Sequence, residues 1–141
     1  MKSANSSAQV LKIGNLNTAE TMLKLYAYQG CSTCRSAAKW LKSQAIAFEE
    51  IAIRETPPTL TELRVMLKAR GGDLRALFNT SGQDYRAQGL KDTLPSLTED
   101  EALTLLNQNG NLVKRPLAID AKAGIAINGF KEAEWTAAFK A

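Results

Sequence analysis

A pair of cysteines separated by two residues, Cys31 and Cys34, constrains this chain more than any other feature. The run Leu23–Tyr28 that precedes the pair alternates with period two and carries two aromatic residues, as β-strands do. The run Ser32–Ser43, which begins within the pair, places its apolar residues along one face of a helix. A C-x-x-C motif between a strand and a helix is typical of a thiol–disulfide redox site.

The position of the two thiols predicts their roles. Cys31 would lie at the N-terminus of the helix, where unpaired backbone N–H groups and the helix dipole favour a thiolate, and Arg35 adds a positive charge one turn away. Cys34, within the first turn, is near enough to close a disulfide. We therefore expect Cys31 to be the nucleophile and Cys34 the resolving thiol. Two other interpretations stay open: half of a zinc site completed by carboxylates or by a second chain, and two ordinary buried cysteines.

Composition narrows the chemistry further. The sequence has 141 residues, 45% of them hydrophobic, so one domain can bury a sufficient core without disulfide bonds. It contains no histidine, which excludes Ser–His and Cys–His catalytic pairs and the commonest metal ligand. The net charge of +4 is spread along the chain rather than clustered as in nucleic-acid-binding proteins. The sequence also has no long apolar run and no apolar leader. We therefore expect a cytoplasmic protein that binds no metal and no membrane and makes no direct contact with nucleic acid. We expect it to be a monomer.

Residues 1–22 are rich in Ser, Asn and Thr and predict a flexible N-terminal extension, followed by a single domain over residues 23–141. Periodicity and capping residues divide that domain into elements. The predicted strands are Leu23–Tyr28, Phe48–Ile53, Leu117–Ile119 and Ile125–Ile127, the last two joined in a hairpin by Asp120–Gly124. The predicted helices are Ser32–Ser43, Thr59–Arg70, Thr98–Asn109 with Gly110 as its C-terminal cap, and Lys131–Phe139, with further short helices within residues 73–93.

This order of elements, β-α-β followed by a helical block and then β-β-α, predicts an α/β fold. The first two strands should be parallel because a helix connects them, and the last two antiparallel because a short turn does. The expected architecture is a mixed sheet with helices packed on it and an inserted helical region.

A second short motif, Lys114-Arg115-Pro116, directly precedes the predicted strand Leu117–Ile119. Proline is tolerated at the first position of a strand, so one interpretation is an exposed basic pair at a strand start. The functional interpretation is a cis Arg115–Pro116 bond that faces the cysteines, with Arg115 binding an anion. The local sequence favours neither of the two.

Several segments together make the chain similar to the arsenate reductase/Spx family of thioredoxin-like proteins over about residues 23–140. These segments are the strand followed by Cys31-x-x-Cys34-Arg35, Pro57-Pro58 before a helix, Arg75–Thr80, Lys114–Asp120 and Gly129–Glu132. The sequence Phe-Asn-Thr-Ser-Gly at Phe78–Gly82 resembles an uncharacterised branch of that family. The resemblance implies a thioredoxin-like core with a helical insertion, a reactive Cys31 and a nearby Arg115.

The resemblance also implies a choice between activities. Arsenate reductases of this type surround the oxyanion with three arginines, of which only Arg115 is matched here. Asn79 and Gly129 occupy the other two positions, so arsenate reduction should be absent or weak. The Spx members of the family instead bind RNA polymerase and use the C-x-x-C pair as an oxidation switch.

From these observations we expect a thiol–disulfide oxidoreductase with no bound cofactor. Glutathione or another thiol would be its co-substrate, a small thiol or a protein disulfide its substrate, and glutaredoxin or thioredoxin its partner. The expected catalytic residues are Cys31 and Cys34, and the expected substrate- or anion-binding residues are Arg35, Arg115 and Pro116. The alternatives are a redox-sensing transcription regulator that binds RNA polymerase, and a true arsenate reductase.

Overall fold

A computed structural model describes residues 22–140 of the chain. The flexible extension predicted over residues 1–22 lies outside the described residues except for its last one, so it stays a prediction. Within the described range the elements follow the order β-α-β, a helical block, then β-β-α. The predicted α/β class and the inserted helical region are therefore confirmed.

Four strands form a mixed sheet in the order β2-β1-β3-β4. These strands are β1 (Leu23–Ala27), β2 (Phe48–Ala52), β3 (Leu117–Asp120) and β4 (Ile125–Asn128). β1 pairs in parallel with β2 and antiparallel with β3, while β3 and β4 form the antiparallel hairpin. Each predicted strand is confirmed to within one residue at its ends.

The other regular elements of the described range are helices. They are α1 (Ser32–Ser43), α2 (Leu60–Ala69), α3 (Gln83–Ala87), α4 (Leu90–Thr93), α5 (Glu99–Gln108) and α6 (Glu132–Lys140). Three short 3₁₀ turns accompany them at Leu74–Leu77, Leu94–Ser96 and Gly110–Leu112. No helix within residues 22–140 is both long and apolar enough to cross a membrane.

The helices form two apolar cores, one on each face of the sheet, because successive side chains of a strand point to opposite faces. Leu25 and its alternate neighbours in β1 are buried against α1 and against Trp135 of α6. Tyr26, between them, is buried against α2 and α5. The sheet is thus covered on both faces, as the predicted architecture requires.

Local hydrogen bonds set the first residue of two helices in the inserted block. At α2 the Thr59 hydroxyl accepts the Glu62 N–H at 3.1 Å, and the Glu62 carboxylate accepts the Thr59 N–H at 3.0 Å. At α5 the Thr98 hydroxyl accepts the Glu101 N–H at 3.1 Å, and the Glu101 carboxylate accepts the Thr98 N–H at 2.8 Å. Both predicted capping boxes are confirmed.

Gly110 does not cap α5, and that prediction is wrong. The helix ends at Gln108 with Asn109 as its C-cap, and Gly110 begins the following 3₁₀ turn without the positive φ of a capping glycine. Gly110 is buried, and a Cβ at this position would overlap the carbonyl oxygen of Ile53. The glycine is required by close contact between two backbone segments rather than by the helix end.

The sheet topology brings two motifs that are distant in the sequence to the same end of the two inner strands. β1 and β3 are antiparallel neighbours, with Tyr26 opposite Leu117. The end of β1, which leads to Cys31, therefore lies beside the start of β3, which follows Arg115 and Pro116. The candidate site lies at this end of the sheet.

Candidate active site

Cys31 is the N-cap residue of α1. The turn after β1 is closed by a hydrogen bond from the Cys31 N–H to the Tyr28 carbonyl at 3.0 Å. Cys31 has extended backbone angles, φ −98° and ψ 113°, and its Sγ accepts the Cys34 N–H at 3.2 Å. A thiolate here receives a backbone hydrogen bond at the positive end of the helix dipole. The local structure therefore places the sulfur where its anionic form is stabilised.

The two thiols are reduced and differ in burial and acidity. Cys31 is half-buried and Cys34 is buried. Burial by itself raises the pKa of Cys31, but hydrogen bonds from the thiol and N–H of Cys34, followed by the hydrogen bond and charge of Arg115, outweigh it and lower that pKa. Burial, and next the hydrogen bond with Cys31, raises the pKa of Cys34 to about 12. Cys31 is therefore the sulfur that ionises first, while Cys34 keeps its proton.

Arg115 lies beside Cys31 and is incompletely bonded. The Arg115–Pro116 peptide bond is cis, as the functional interpretation of that motif predicts. The Nη1 atom of Arg115 is buried and has no hydrogen-bond acceptor within residues 22–140. Leaving a buried, charged donor unpaired is unfavourable, so Arg115 keeps an incompletely satisfied positive charge beside Cys31, which favours an anion there.

Two guanidinium groups lie near the ring of Tyr28. The Cζ atom of Arg54 is 3.7 Å from the centroid of the Tyr28 ring, and that of Arg115 is 5.6 Å from it. A Cβ at Gly30 would lie 2.6 Å from Tyr28 Cε2, so the glycine makes room for the ring. Cation–π contacts of this kind hold the guanidinium groups in place. Sequence reasoning missed Tyr28 and Arg54, since no motif links them to the cysteine pair.

Arg35, which the sequence predicts to bind an anion and to favour the Cys31 thiolate, does not line the cleft that contains Cys31. Its side chain is exposed on α1, and its Nη1 donates a hydrogen bond to the Gln29 carbonyl at 2.6 Å. It lines a groove that includes Cys34 but not Cys31. Although Arg35 follows Cys34 directly, the helix turns successive side chains by about 100°, and this one points away from the Cys31 cleft.

A cleft of about 520 Å³ opens in front of Cys31, and it is electropositive. Its charged lining residues are four cations, Arg70, Lys114, Arg115 and Lys131, and one carboxylate, Glu134. Asn79 and Gly129 also line it, in agreement with the positions that the family resemblance implies. Within residues 22–140 no group of three or more His, Cys, Asp or Glu side chains is placed to hold a metal ion. Such a cleft attracts anions and favours an ionised thiol.

Pro116 shapes the cleft rather than lining it. Its side chain is buried, and its carbonyl accepts the Gly129 N–H at 2.8 Å. The Gly129 carbonyl in turn accepts the indole N–H of Trp135 at 2.8 Å. Pro116 thus joins the start of β3 to the end of β4, and Gly129 is held where its missing side chain leaves space.

Arg70 and Asn128 are components that sequence reasoning missed. Arg70, the C-cap residue of α2, donates from Nε to Asn128 Oδ1 at 2.8 Å and from Nη2 to the Asn128 carbonyl at 2.7 Å. Asn128 is only 2% exposed, and its side-chain amide donates to the Ala76 carbonyl at 3.0 Å. The two residues are far apart in the sequence and share no motif, so only the fold relates them.

Comparison with known protein families agrees with this geometry. The model of the ArsC family matches residues 26–138, a range that contains the cysteine pair and the cis-proline strand start. This chain belongs to the ArsC family. The resemblance inferred from the sequence motifs is thereby confirmed, together with the thioredoxin-like fold.

The relatives of this ArsC family member fall into more than one class. It is 44% identical to the uncharacterized protein YusI of Bacillus subtilis, over 78% of this chain and 92% of that protein. It is 32% identical to the global transcriptional regulator Spx 1 of Lactococcus lactis, over 72% of this chain and 77% of that protein. The crystal structure of a possible arsenate reductase from Streptococcus mutans matches with a TM-score of 0.74 and 40% identity, over 82% of this chain and 98% of that one. Family membership alone therefore does not specify the reaction.

Proposed function

We propose that this protein is a thiol–disulfide oxidoreductase of the cytoplasm in which Cys31 attacks the substrate and Cys34 resolves the intermediate. The asymmetry of the two thiols is the observation that supports this most strongly. Cys31 accepts the Cys34 N–H at the N-cap and has a lowered pKa, whereas the buried Cys34 stays protonated. A reactive thiolate next to a protonated second thiol is the arrangement that disulfide exchange requires.

In the first step the Cys31 thiolate attacks one sulfur of a substrate disulfide. A bond forms between Cys31 and that sulfur as the substrate S–S bond breaks, and the other half leaves as a thiolate with the electron pair. Once Cys31 is part of a mixed disulfide, its charge and hydrogen bond no longer raise the pKa of Cys34. Cys34 then loses its proton to the departing thiolate.

In the second step the Cys34 thiolate attacks Cys31 Sγ, the bond between Cys31 and the remaining half of the substrate breaks, and that half leaves as a thiolate that takes a proton from water. The protein dithiol is thereby oxidised to a disulfide, and the substrate disulfide is reduced to two thiols. Glutathione or a dithiol protein such as glutaredoxin or thioredoxin reduces the pair again, which completes the cycle.

Trapping the intermediate tests the two roles. Purified protein should reduce a glutathione mixed disulfide in the presence of glutathione. The Cys34→Ser variant should accumulate one substrate half on Cys31, detected as an added mass on the Cys31 peptide, because no resolving thiol remains. The Cys31→Ser variant should form no adduct and show no turnover. Adduct formation on Cys34, or turnover that survives Cys31→Ser, would contradict the assignment.

A second candidate function is a redox-sensing transcription regulator, and the similarity to Spx 1 favours it. In that case the cysteine pair would be an oxidation switch, and RNA polymerase would be the partner. Purified RNA polymerase should then bind the reduced and the oxidised protein with different affinities, and the glutathione assay should show no catalytic turnover. Turnover without polymerase binding distinguishes the enzyme from the regulator.

Arsenate reduction is the third candidate, in view of the Streptococcus mutans structure. Asn79 lines the cleft without a charge, and Gly129 has no side chain to contribute. An arsenate dianion is held best by several charge-assisted hydrogen bonds. Arsenate turnover with glutathione and glutaredoxin should therefore be absent or weak in the same assay panel.

A further inference from the structure

Lys114 occupies the space above Gly129 in the Cys31 cleft. A Cβ added to Gly129 would lie 3.0 Å from Lys114 Cε and 3.6 Å from Lys114 Nζ. The lysine stem therefore fills the volume that a side chain at position 129 would need. Among the ion pairs within residues 22–140, none involves Lys114, so its ammonium group is available at the cleft.

Arg115 is the second available cation in this cleft. Its buried Nη1 has no acceptor, and it lines the same cleft as Cys31 and Lys114. Arg70 is already engaged, because it makes two hydrogen bonds to Asn128 and lies 3.8 Å from the Glu134 carboxylate. The cations of the cleft that remain for a ligand are therefore Lys114, Arg115 and Lys131, of which Lys114 lies over Gly129 and Arg115 hydrogen-bonds to Cys31.

The geometry points to a carboxylate site. We propose that Lys114 and Arg115 bind a carboxylate of the substrate beside Cys31, so that the protein reacts selectively with compounds that carry a carboxylate near the attacked atom. A planar carboxylate fits one guanidinium fork and one ammonium point charge, whereas a tetrahedral dianion calls for several forks. For disulfides this selectivity rests on the proposed function, since Cys31 must be the attacking sulfur.

Alkylation of Cys31 by iodoacetate and by iodoacetamide tests the site without relying on disulfide exchange. The two reagents are nearly the same size and differ in carrying a carboxylate or a neutral amide. Each rate constant, followed by the mass of the Cys31 peptide near pH 7, is divided by that of the same reagent with a small neutral thiol. In wild-type protein the normalised preference for iodoacetate should be about tenfold, the effect of a nearby unit charge in a partly solvated site.

Variants of Lys114 identify the residue responsible. Lys114→Gln should reduce the preference several-fold, and Lys114→Arg should retain it because the charge is kept. Lys91→Gln is the matched control: Lys91 is an exposed lysine that lines a separate groove, and its loss should leave the preference unchanged. Lys114 is itself exposed, so thermal unfolding of the Gln variant should match that of the wild type.

A series of three small disulfides extends the test to the proposed reaction. Dithiodipropionate, hydroxyethyl disulfide and cystamine share one two-carbon skeleton and carry carboxylate, hydroxyl and ammonium groups. The same normalisation removes differences in leaving-group reactivity. The normalised rates should then fall in that order, and the differences among the three rates should be smaller in the Lys114→Gln variant.

The outcomes separate the two proposals. A normalised iodoacetate preference near one, or a preference that Lys114→Gln leaves intact, overturns the carboxylate site. Reaction with all three disulfides at equal normalised rates overturns it as well while leaving disulfide exchange in place. A carboxylate preference in alkylation, combined with no exchange with any disulfide, supports the site and instead overturns the proposed oxidoreductase function.

Discussion

At the scale of single residues, the identical side chains of Cys31 and Cys34 differ in acidity because their surroundings differ. Cys31 receives hydrogen bonds from Cys34 and the charge of Arg115, whereas Cys34 is enclosed and donates to Cys31. A separation of two residues is enough for this difference, since one position is the N-cap of α1 and the other points into the core. Acidity at one sulfur and burial at the other are therefore two consequences of a single helix start.

Replacing Arg115 should make Cys31 less acidic. The guanidinium favours the thiolate by hydrogen bonding and charge, so Arg115→Ala should move the pH midpoint of Cys31 alkylation upward, toward the value of about 8.5 of an ordinary thiol. The measurement is the iodoacetamide rate constant of the Cys31 peptide against pH. Below the wild-type midpoint both proteins should react slowly, and the largest difference should lie between the two midpoints.

Arg35→Ala is the matched control for that experiment. Arg35 is nearer than Arg115 to the cysteines in the sequence, but its guanidinium donates to the Gln29 carbonyl outside the Cys31 cleft. Its loss should leave the midpoint unchanged. An upward shift with Arg35→Ala and none with Arg115→Ala would reverse the assignment.

At the scale of elements, Glu62 connects the first turn of α2 to the strand β1. It completes the capping box with Thr59, and its carboxylate also accepts the Tyr26 hydroxyl at 2.6 Å and the Lys24 ammonium at 3.1 Å. Burial by itself raises the pKa of Glu62, but the hydrogen bonds from Tyr26, the Thr59 N–H and Lys24 outweigh it and lower that pKa. Burial, followed by the bond to Glu62, raises the pKa of Tyr26, so the phenol remains a donor. One carboxylate thus fixes both a helix start and its distance from the sheet.

Glu62→Ala should lower the free energy of unfolding by about 3 kcal/mol, the sum expected for a lost cap and a lost charged hydrogen bond. The control, Glu101→Ala, removes only the capping box of α5 and should cost about 1 kcal/mol. Urea unfolding of the two variants at neutral pH measures both values. Equal losses would show that the bonds to Tyr26 and Lys24 contribute nothing.

The contribution of Glu62 should also depend on pH. Because folding lowers its pKa, the stabilisation is complete above the unfolded value of about 4.3 and disappears as pH falls through the lower folded value. The stability gap between wild type and Glu62→Ala should therefore narrow below about pH 4. A gap that stays constant down to acid unfolding would argue against an ionised Glu62 in the folded state.

At the scale of the whole molecule, the described residues form an apolar core on each face of the sheet. One lies between β1 and the helices α1 and α6, and the other between the sheet and the inserted helices. Cys31 follows the end of β1, which lies beside the start of β3. The site therefore depends on the assembled sheet rather than on the cysteine motif alone.

Deleting residues 1–21 should leave the protein folded and reactive, because the cores and the Cys31 cleft are built from residues 22–140. The melting temperature and the iodoacetamide rate at Cys31 should both match those of the full chain. A clear drop in melting temperature would mean that the N-terminal residues pack on the domain.

The elements and the position of the cysteine pair at a helix start were predictable from the sequence because their causes are local. Strand periodicity, the capping pairs at Thr59 and Thr98, and the C-x-x-C spacing each act within a few residues. The same reasoning failed at Gly110, whose requirement comes from the backbone at Ile53 rather than from the helix that it follows. It also misplaced Arg35, because proximity in the chain does not tell which way a helical side chain points.

By itself the sequence determined the order of strands and helices, the C-x-x-C pair at the start of α1 and the family. Tertiary structure alone decided which charges surround the thiol: it excluded Arg35, set Lys114 over Gly129, and paired Arg70 with a residue 58 positions away, Asn128. The physical reason is the separation along the chain over which each interaction acts. Backbone hydrogen bonds and periodic burial act between near neighbours in the chain, whereas an electrostatic site is defined by distances in space that only the packed sheet establishes.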